Sequence, residues 1–231
     1  AIQIRGGRGY ETASSLRARG EKGYGVERIM RDSRINTIIE GTSQIMRLFI
    51  AREAMDAHVR LIMPIISSRT KLKERLSAVS KAFTFYTRWY PRQFLYKNQL
   101  PQGIAVPAEL HGHMKFVNRV AHRLARNLFH AMMLYQQGLE AKQLLLTRFA
   151  NIGTDLFAMA ASCARAIHLA SQDTSSEGAV ELADLFCRQA RGRIQKQFRQ
   201  LFSNDDKFAY RIAQNALASK YAWLENDIIQ P

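Results

Sequence analysis

Apolar positions along this 231-residue chain recur at helical spacing through most of its length. The two-residue alternation that marks strands is almost absent, and no apolar run is bounded by hairpin dipeptides. The spacing predicts a short helix over 26–34. A longer helix opens near Thr42, with Ile45, Leu48, Phe49, Met55, Val59 and Ile62 on its apolar face, and is kinked or ended by Pro64. A further helix fits Leu72 to Tyr90, stopped by Pro91. Long helices then follow over 108–137, 139–171, 178–202 and 206–224. In the third of these, Leu182, Phe186, Ala190, Ile194 and Phe198 recur at every fourth position, and Asn204 and Asp205 are candidate N-caps for the last.

Breakers mark what lies between. Gly6, Gly7, Gly9, Gly20, Gly23 and Gly25 crowd the start, which predicts that the first 25 residues are mostly loop. Two prolines and a glycine between Asn98 and Pro107 make the clearest linker. No internal repeat or low-complexity tract is present. The expected fold class is all-α, an up-down helical bundle.

Composition narrows the class. At 47% apolar and 23% charged residues the chain is an ordinary globular sequence, not a disordered one. The formal net charge is +15, of which residues 1–60 supply +4 and the remainder +11. That excess favours anionic lipid, acyl-CoA phosphates or nucleic acid, and charge alone does not choose among them. Cys163 and Cys187, the two cysteines, sit in apolar helical patterns and read as buried thiols of a reducing compartment. No window approaches the length of a membrane span. Ala1 to Gly7 is neither a signal nor a transit peptide, and the opening without methionine suggests a fragment.

The chemistry gathers in residues 1–60. Gln3-Ile4-Arg5-Gly6-Gly7-Arg8-Gly9-Tyr10 comes first and Glu27-Arg28-Ile29-Met30-Arg31-Asp32 second. Then come Glu40-Gly41-Thr42-Ser43-Gln44-Ile45 and Ile50-Ala51-Arg52-Glu53. Glu40 follows two isoleucines at the mouth of a helix. Apolar neighbours raise a carboxylate's pKa and a helix N-terminus lowers it, so such a group could serve as a base. Gly41 lets a ligand approach the backbone, and Thr42, Ser43 and Gln44 offer hydroxyls, an amide and free N–H groups to a phosphate or ribose. An ordinary reading also holds: a solvated turn carboxylate, with Thr42 or Ser43 as N-cap.

These elements, in this order, resemble the C-terminal signature of the acyl-CoA dehydrogenases over about the first 60 residues. The resemblance implies FAD as cofactor, an acyl-CoA substrate, an acceptor of the electron-transfer flavoprotein type, and a homo-oligomer. It implies that Glu40 is the catalytic base, as in the medium-chain and very-long-chain branches, and that Gly41 contacts substrate. Flavin contacts carry over to Thr42, Ser43 and Gln44, and to Gln3, Ile4, Arg5, Gly6 and Gly7, a segment that in the family reaches a neighbouring subunit's FAD. Residues 1–63 would belong to the dehydrogenase helical domain and 64–231 to an appended helical domain like that of the very-long-chain branch. The family's N-terminal helical domain and β-barrel are missing, so this chain alone is expected not to catalyse. The stretch Thr12 to Gly25 is longer than in short- and medium-chain members. A non-catalytic helical interaction domain that kept the signature by descent is the rival reading.

Within 81–98, Lys81, Arg88, Arg92 and Lys97 interleave with Phe83, Phe85, Tyr86, Trp89, Tyr90, Phe94 and Tyr96. That mixture fits a headgroup boundary, and the expected location is cytoplasmic, peripheral at the inner membrane face; the competing account packs the rings in a core. His111, His113, His122 and His130 lack metal-ligand spacing, so no metal is expected. Gly7-Arg8-Gly9 is not a dinucleotide fingerprint. The basic run Arg191 to Lys196 reads as a solvated face, and no nucleic-acid module is recognisable.

Overall fold

The computed structural model describes residues 1–39, 41–67, 69–95, 103, 105–172 and 177–224. Among these the fold is all-α, and it divides into two compact units, Ala1–Ala54 and Met55–Pro231. Glu40 lies outside the described residues, as do Tyr96, Lys97 and most of the predicted linker.

The first unit holds α1 (Ile2–Arg5), α2 (Gly7–Tyr10), α3 (Ala13–Ala18), α4 (Val26–Ile35) and the opening of α5 (Ser43–Ile66). The expectation of loop over the first 25 residues is therefore corrected to three short helices. Two local devices explain them. Thr12 caps α3, its Oγ1 accepting the Ser15 N–H at 3.2 Å. Gly9 lets α2 fold back on α1, since a Cβ there would stand 2.6 Å from the Ile2 carbonyl oxygen. The ion pairs Arg8–Glu21, Arg19–Glu21 and Arg19–Glu11 then tie the turns around α3 together.

In the second unit, α6 (Leu72–Arg92), α7 (Ala108–Tyr135), α8 (Gln143–Ser171) and α9 (Glu177–Arg199) run up and down in turn. The register follows from contacts. Tyr86 meets Phe129 while Gln93 bonds His122, so α6 and α7 are antiparallel. Cys163 faces Cys187 while Asp155 pairs with Arg193, so α8 and α9 are antiparallel too. His113 bonds Asp184 while Arg123 covers Phe198, which sets α7 and α9 parallel. The core comprises Leu110, Val120, Leu128, Ile152, Leu156, Met159, Cys163, Ile194 and Leu201. Each large aliphatic side chain there contributes roughly 1.5–3 kcal/mol by leaving water.

Several expectations shift at this level. The every-fourth-residue stripe on α9 holds at Ala190, Ile194 and Phe198, yet Leu182 is 70% exposed, and Ala183 and Cys187 are buried instead. A strict four-residue repeat gains about 40° per step on a helix of 3.6 residues per turn, so it leaves the core within a few turns. On α5, Met55 is buried as expected, but Ile45, Phe49 and Val59 are exposed while Ala51 and His58 are covered. Pro64 and Pro91 lie inside their helices, each of which ends within two residues. α10 (Asp206–Leu217) is shorter than predicted. Asp205 makes no side-chain cap there, and Asn204 accepts the Asp206 N–H at 3.1 Å.

Candidate functional site

The second motif folds for a visible reason. Glu27 and Arg31, one turn apart on α4, pair at 2.8 Å, and the Glu27 residue is only 7% exposed. Arg28 and Asp32 form a looser, exposed pair at 3.8 Å on the same helix. Both use the i, i+4 spacing, and the first holds a buried charge with its partner. Helices α1 and α2 pack on each other and on α4, so the helix of the second motif supports the segment of the first.

On that support, Gln3 and Ile4 are exposed on α1, and Arg5 is partly buried with its guanidinium 5.1 Å from the Tyr24 ring. The Arg5 Nε is buried without a hydrogen-bond partner. Gly6 has φ +57°, a left-handed conformation that a side chain would strain, and both Gly6 and Gly7 face open space. Gly9, in the same motif, makes the close α1–α2 approach.

The third motif opens α5. Gly41 has φ +105°, and a Cβ there would meet the Met46 side chain at 2.9 Å. Thr42 caps the helix, with its Oγ1 accepting the Ile45 N–H at 3.3 Å. That hydroxyl therefore does the ordinary capping work and keeps its own proton to donate. Ser43 is half-buried and Gln44 is exposed in the first turn, where backbone N–H groups have no intrahelical acceptor. The opening of α5 is thus a set of donors beside a glycine whose missing side chain leaves room for Met46. Glu40 directly precedes it in sequence and lies outside the described residues.

The family description "Acyl-CoA dehydrogenase, C-terminal domain" matches residues 1–55, and "ACAD9/ACADV, C-terminal domain" matches residues 108–221. The chain belongs to the acyl-CoA dehydrogenase family. A Mycobacterium tuberculosis protein described as "Probable acyl-CoA dehydrogenase FadE10" is 44% identical over 229 residues, which is 99% of this chain and 35% of that protein. The very long-chain specific acyl-CoA dehydrogenase of rat mitochondria is 28% identical over 227 residues, 97% of this chain and 32% of its own length. The Bacillus subtilis protein "Probable acyl-CoA dehydrogenase YngJ" matches over 55 residues alone, at 49% identity. The chain spans about a third of the length of the curated relatives it matches from end to end.

Four histidines of the second unit, His111, His113, His122 and His130, have protein partners. His113 Nε2 bonds Asp184 at 2.7 Å, His122 Nδ1 bonds the Gln93 side chain at 2.9 Å, and His130 Nε2 bonds the Tyr90 hydroxyl at 2.9 Å. His111 Nε2 lies 2.8 Å from the Val106 carbonyl oxygen. The aromatic stripe of α6 divides between two roles. Tyr86 and Trp89 pack with His58 and Phe129, and burial lowers the pKa of the His58 imidazole. On another face, Leu72, Leu76, Val79 and Phe83 are exposed in a row at helical spacing, Phe83 to 71%. Among the described residues no helix is long and apolar enough to cross a membrane.

Proposed function

We propose that this chain carries the base and part of the flavin-contact surface of an enzyme that dehydrogenates long-chain acyl-CoA thioesters to trans-2-enoyl-CoA. The observation that carries the reading is the run Glu40-Gly41-Thr42-Ser43-Gln44 at the opening of α5, inside the stretch that matches the family. Glu40 removes the proton from the thioester's α-carbon. Gly41, with φ +105°, holds the turn whose backbone contacts the thioester, and the flexible Met46 side chain lies where its Cβ would be.

The donor set fits a flavin nucleotide. Ser43, Gln44 and the free N–H groups of the first turn suit phosphate and ribose oxygens. The open backbone at Gly6 and Gly7 leaves room for a second contact by Gln3 to Gly7. When bound, FAD supplies the hydride acceptor for the β-carbon. The intact enzyme would pass electrons to an acceptor of the electron-transfer flavoprotein type and work as a homo-oligomer. A long-chain preference is supported by the match to the ACAD9/ACADV C-terminal domain and the likeness to a very long-chain specific enzyme. The chain alone does not turn over, because it offers only one side of a flavin site. In the intact enzyme, Glu40→Gln should keep FAD and lose turnover; unchanged turnover would assign the base elsewhere.

The appended helices supply an interfacial contact. The exposed row Leu72, Leu76, Val79 and Phe83, with Lys81 and Arg88 on the same helix, supports a surface that meets a membrane from the side.

A further inference from the structure

The charge of the second unit is unevenly matched. Arg148 is held by Asp206 through two bonds of 2.6 Å, and Arg193 is held by Asp155 at 2.7 Å. Those arginines have a carboxylate of their own. Along the seam where α7 and α9 run parallel, the arrangement differs.

Arg191 reaches from α9 across to α7, where its Nη2 donates to the Gly112 carbonyl and its guanidinium lies 4.7 Å from the Phe116 ring. Arg119 of α7 lies over the same ring at 5.9 Å, so one phenyl ring gathers two guanidiniums. Arg123, one turn further along α7, covers Phe198 at 4.2 Å. Arg188 completes the group from α9. The carboxylate here is Asp184, and it is already engaged, by His113 at 2.7 Å and by Arg188 at 2.8 Å. Arg119 and Arg123 form no ion pair among the described residues.

Two further observations show that this positive charge is not fully accommodated by the protein. The Arg191 Nε–H is buried and has no hydrogen-bond partner. Its guanidinium is also pushed below its ordinary pKa, first by burial and then by Arg119 and Arg188. A buried donor without an acceptor and a set of like charges both gain from an anion with several oxygens. Guanidinium forks match phosphate oxygens in geometry as well as charge. The separation of Arg119 and Arg123 along α7, about 6 Å at 1.5 Å per residue, suits a group larger than a single chloride.

We propose that the α7–α9 seam is a binding site for a phosphate-bearing anion, contacted by Arg119, Arg188 and Arg191 and extended by Arg123. The ligand chemistry is a phosphate or diphosphate group, from a soluble molecule or from a lipid headgroup. Nothing in it depends on the dehydrogenase chemistry of the first unit.

Calorimetric titration of the full chain with pyrophosphate at low ionic strength tests it. Saturable binding is expected, weakened about tenfold or more in Arg119→Gln, whose exposed side chain can be changed without disturbing the core. Arg211→Gln on α10 removes the same charge elsewhere and should leave binding intact. Absence of saturable binding, or equal loss in both variants, would overturn the site. Phosphatidylglycerol vesicles separate the sources. Capture that pyrophosphate competes away and Arg119→Gln loses assigns a lipid headgroup, whereas pyrophosphate binding with no capture, or with capture that pyrophosphate leaves unchanged, assigns a soluble ligand.

Discussion

His113 and Asp184, on parallel helices α7 and α9, are joined through Nε2 and Oδ1 at 2.7 Å. The His113 residue is buried, and Arg188 bonds the other oxygen of the same carboxylate at 2.8 Å. The Arg188 bond first and the His113 bond second hold the Asp184 carboxyl below its ordinary pKa. A carboxylate with a depressed folded-state pKa contributes stability that is present above its unfolded value. That contribution is lost as pH falls through the folded value. Thermal unfolding followed by circular dichroism should therefore show Tm dropping as pH falls below about 4, the ordinary aspartate value. Asp184→Asn should be less stable than the parent at neutral pH and flatter in the acid window. An unchanged acid limb in the variant would refute the role.

Cys163 and Cys187 face each other across α8 and α9 with sulfurs 3.7 Å apart, both fully buried and both free. Burial raises both thiols, Cys187 to about 12 with its neighbour's help. Since the thiolate is the reactive form, the native chain should not react with an aromatic disulfide reagent at pH 8. Both thiols should titrate after denaturation in urea. Prompt labelling of the folded chain would contradict the burial.

Gly9 and Gly7 sit two residues apart and make opposite predictions. Alanine at Gly9 drives its Cβ against the Ile2 backbone, which cannot rotate away, so urea unfolding should register a loss of about 1–3 kcal/mol. Alanine at Gly7 meets open space and should be neutral or gain up to about 1 kcal/mol. Equal effects would show that α1 and α2 do not pack as described.

Much of this was legible in the pattern of apolar positions. The spacing that predicted 26–34, 72–90 and 108–137 corresponds to Val26–Ile35, Leu72–Arg92 and Ala108–Tyr135. Long amphipathic helices announce themselves because a whole face must be apolar. The short helices before Tyr24 did not, since a run of four to six residues shows no full period and glycine masks its signal. Which arginines meet carboxylates was also hidden. Arg191 and Arg193 stand two apart in one basic run, yet one turns into the α7 seam and the other to Asp155. That choice is made by helix rotation and by residues far away in sequence. At the site, the order of motifs named the family, while the caps at Thr12 and Thr42 and the close approach at Gly9 needed coordinates.

The exposed row on α6 has a direct test. The chain should sediment with vesicles containing anionic lipid at moderate salt, and Leu76→Ser with Phe83→Ser should reduce that binding by about tenfold. Both side chains are solvent-facing, so the circular dichroism spectrum should not change. No sedimentation of the parent chain, or undiminished sedimentation of the double variant, would remove the membrane reading.

In the proposed function, the side chain of Glu40 removes the proton that starts the reaction. Anaerobic rapid mixing of the intact, FAD-loaded enzyme with a saturated long-chain acyl-CoA reads that step through bleaching of the flavin absorbance. The parent enzyme should bleach. The Glu40→Gln form should hold the same flavin and thioester but bleach about 10²–10⁴-fold more slowly. Bleaching at the parental rate would place the base on another residue.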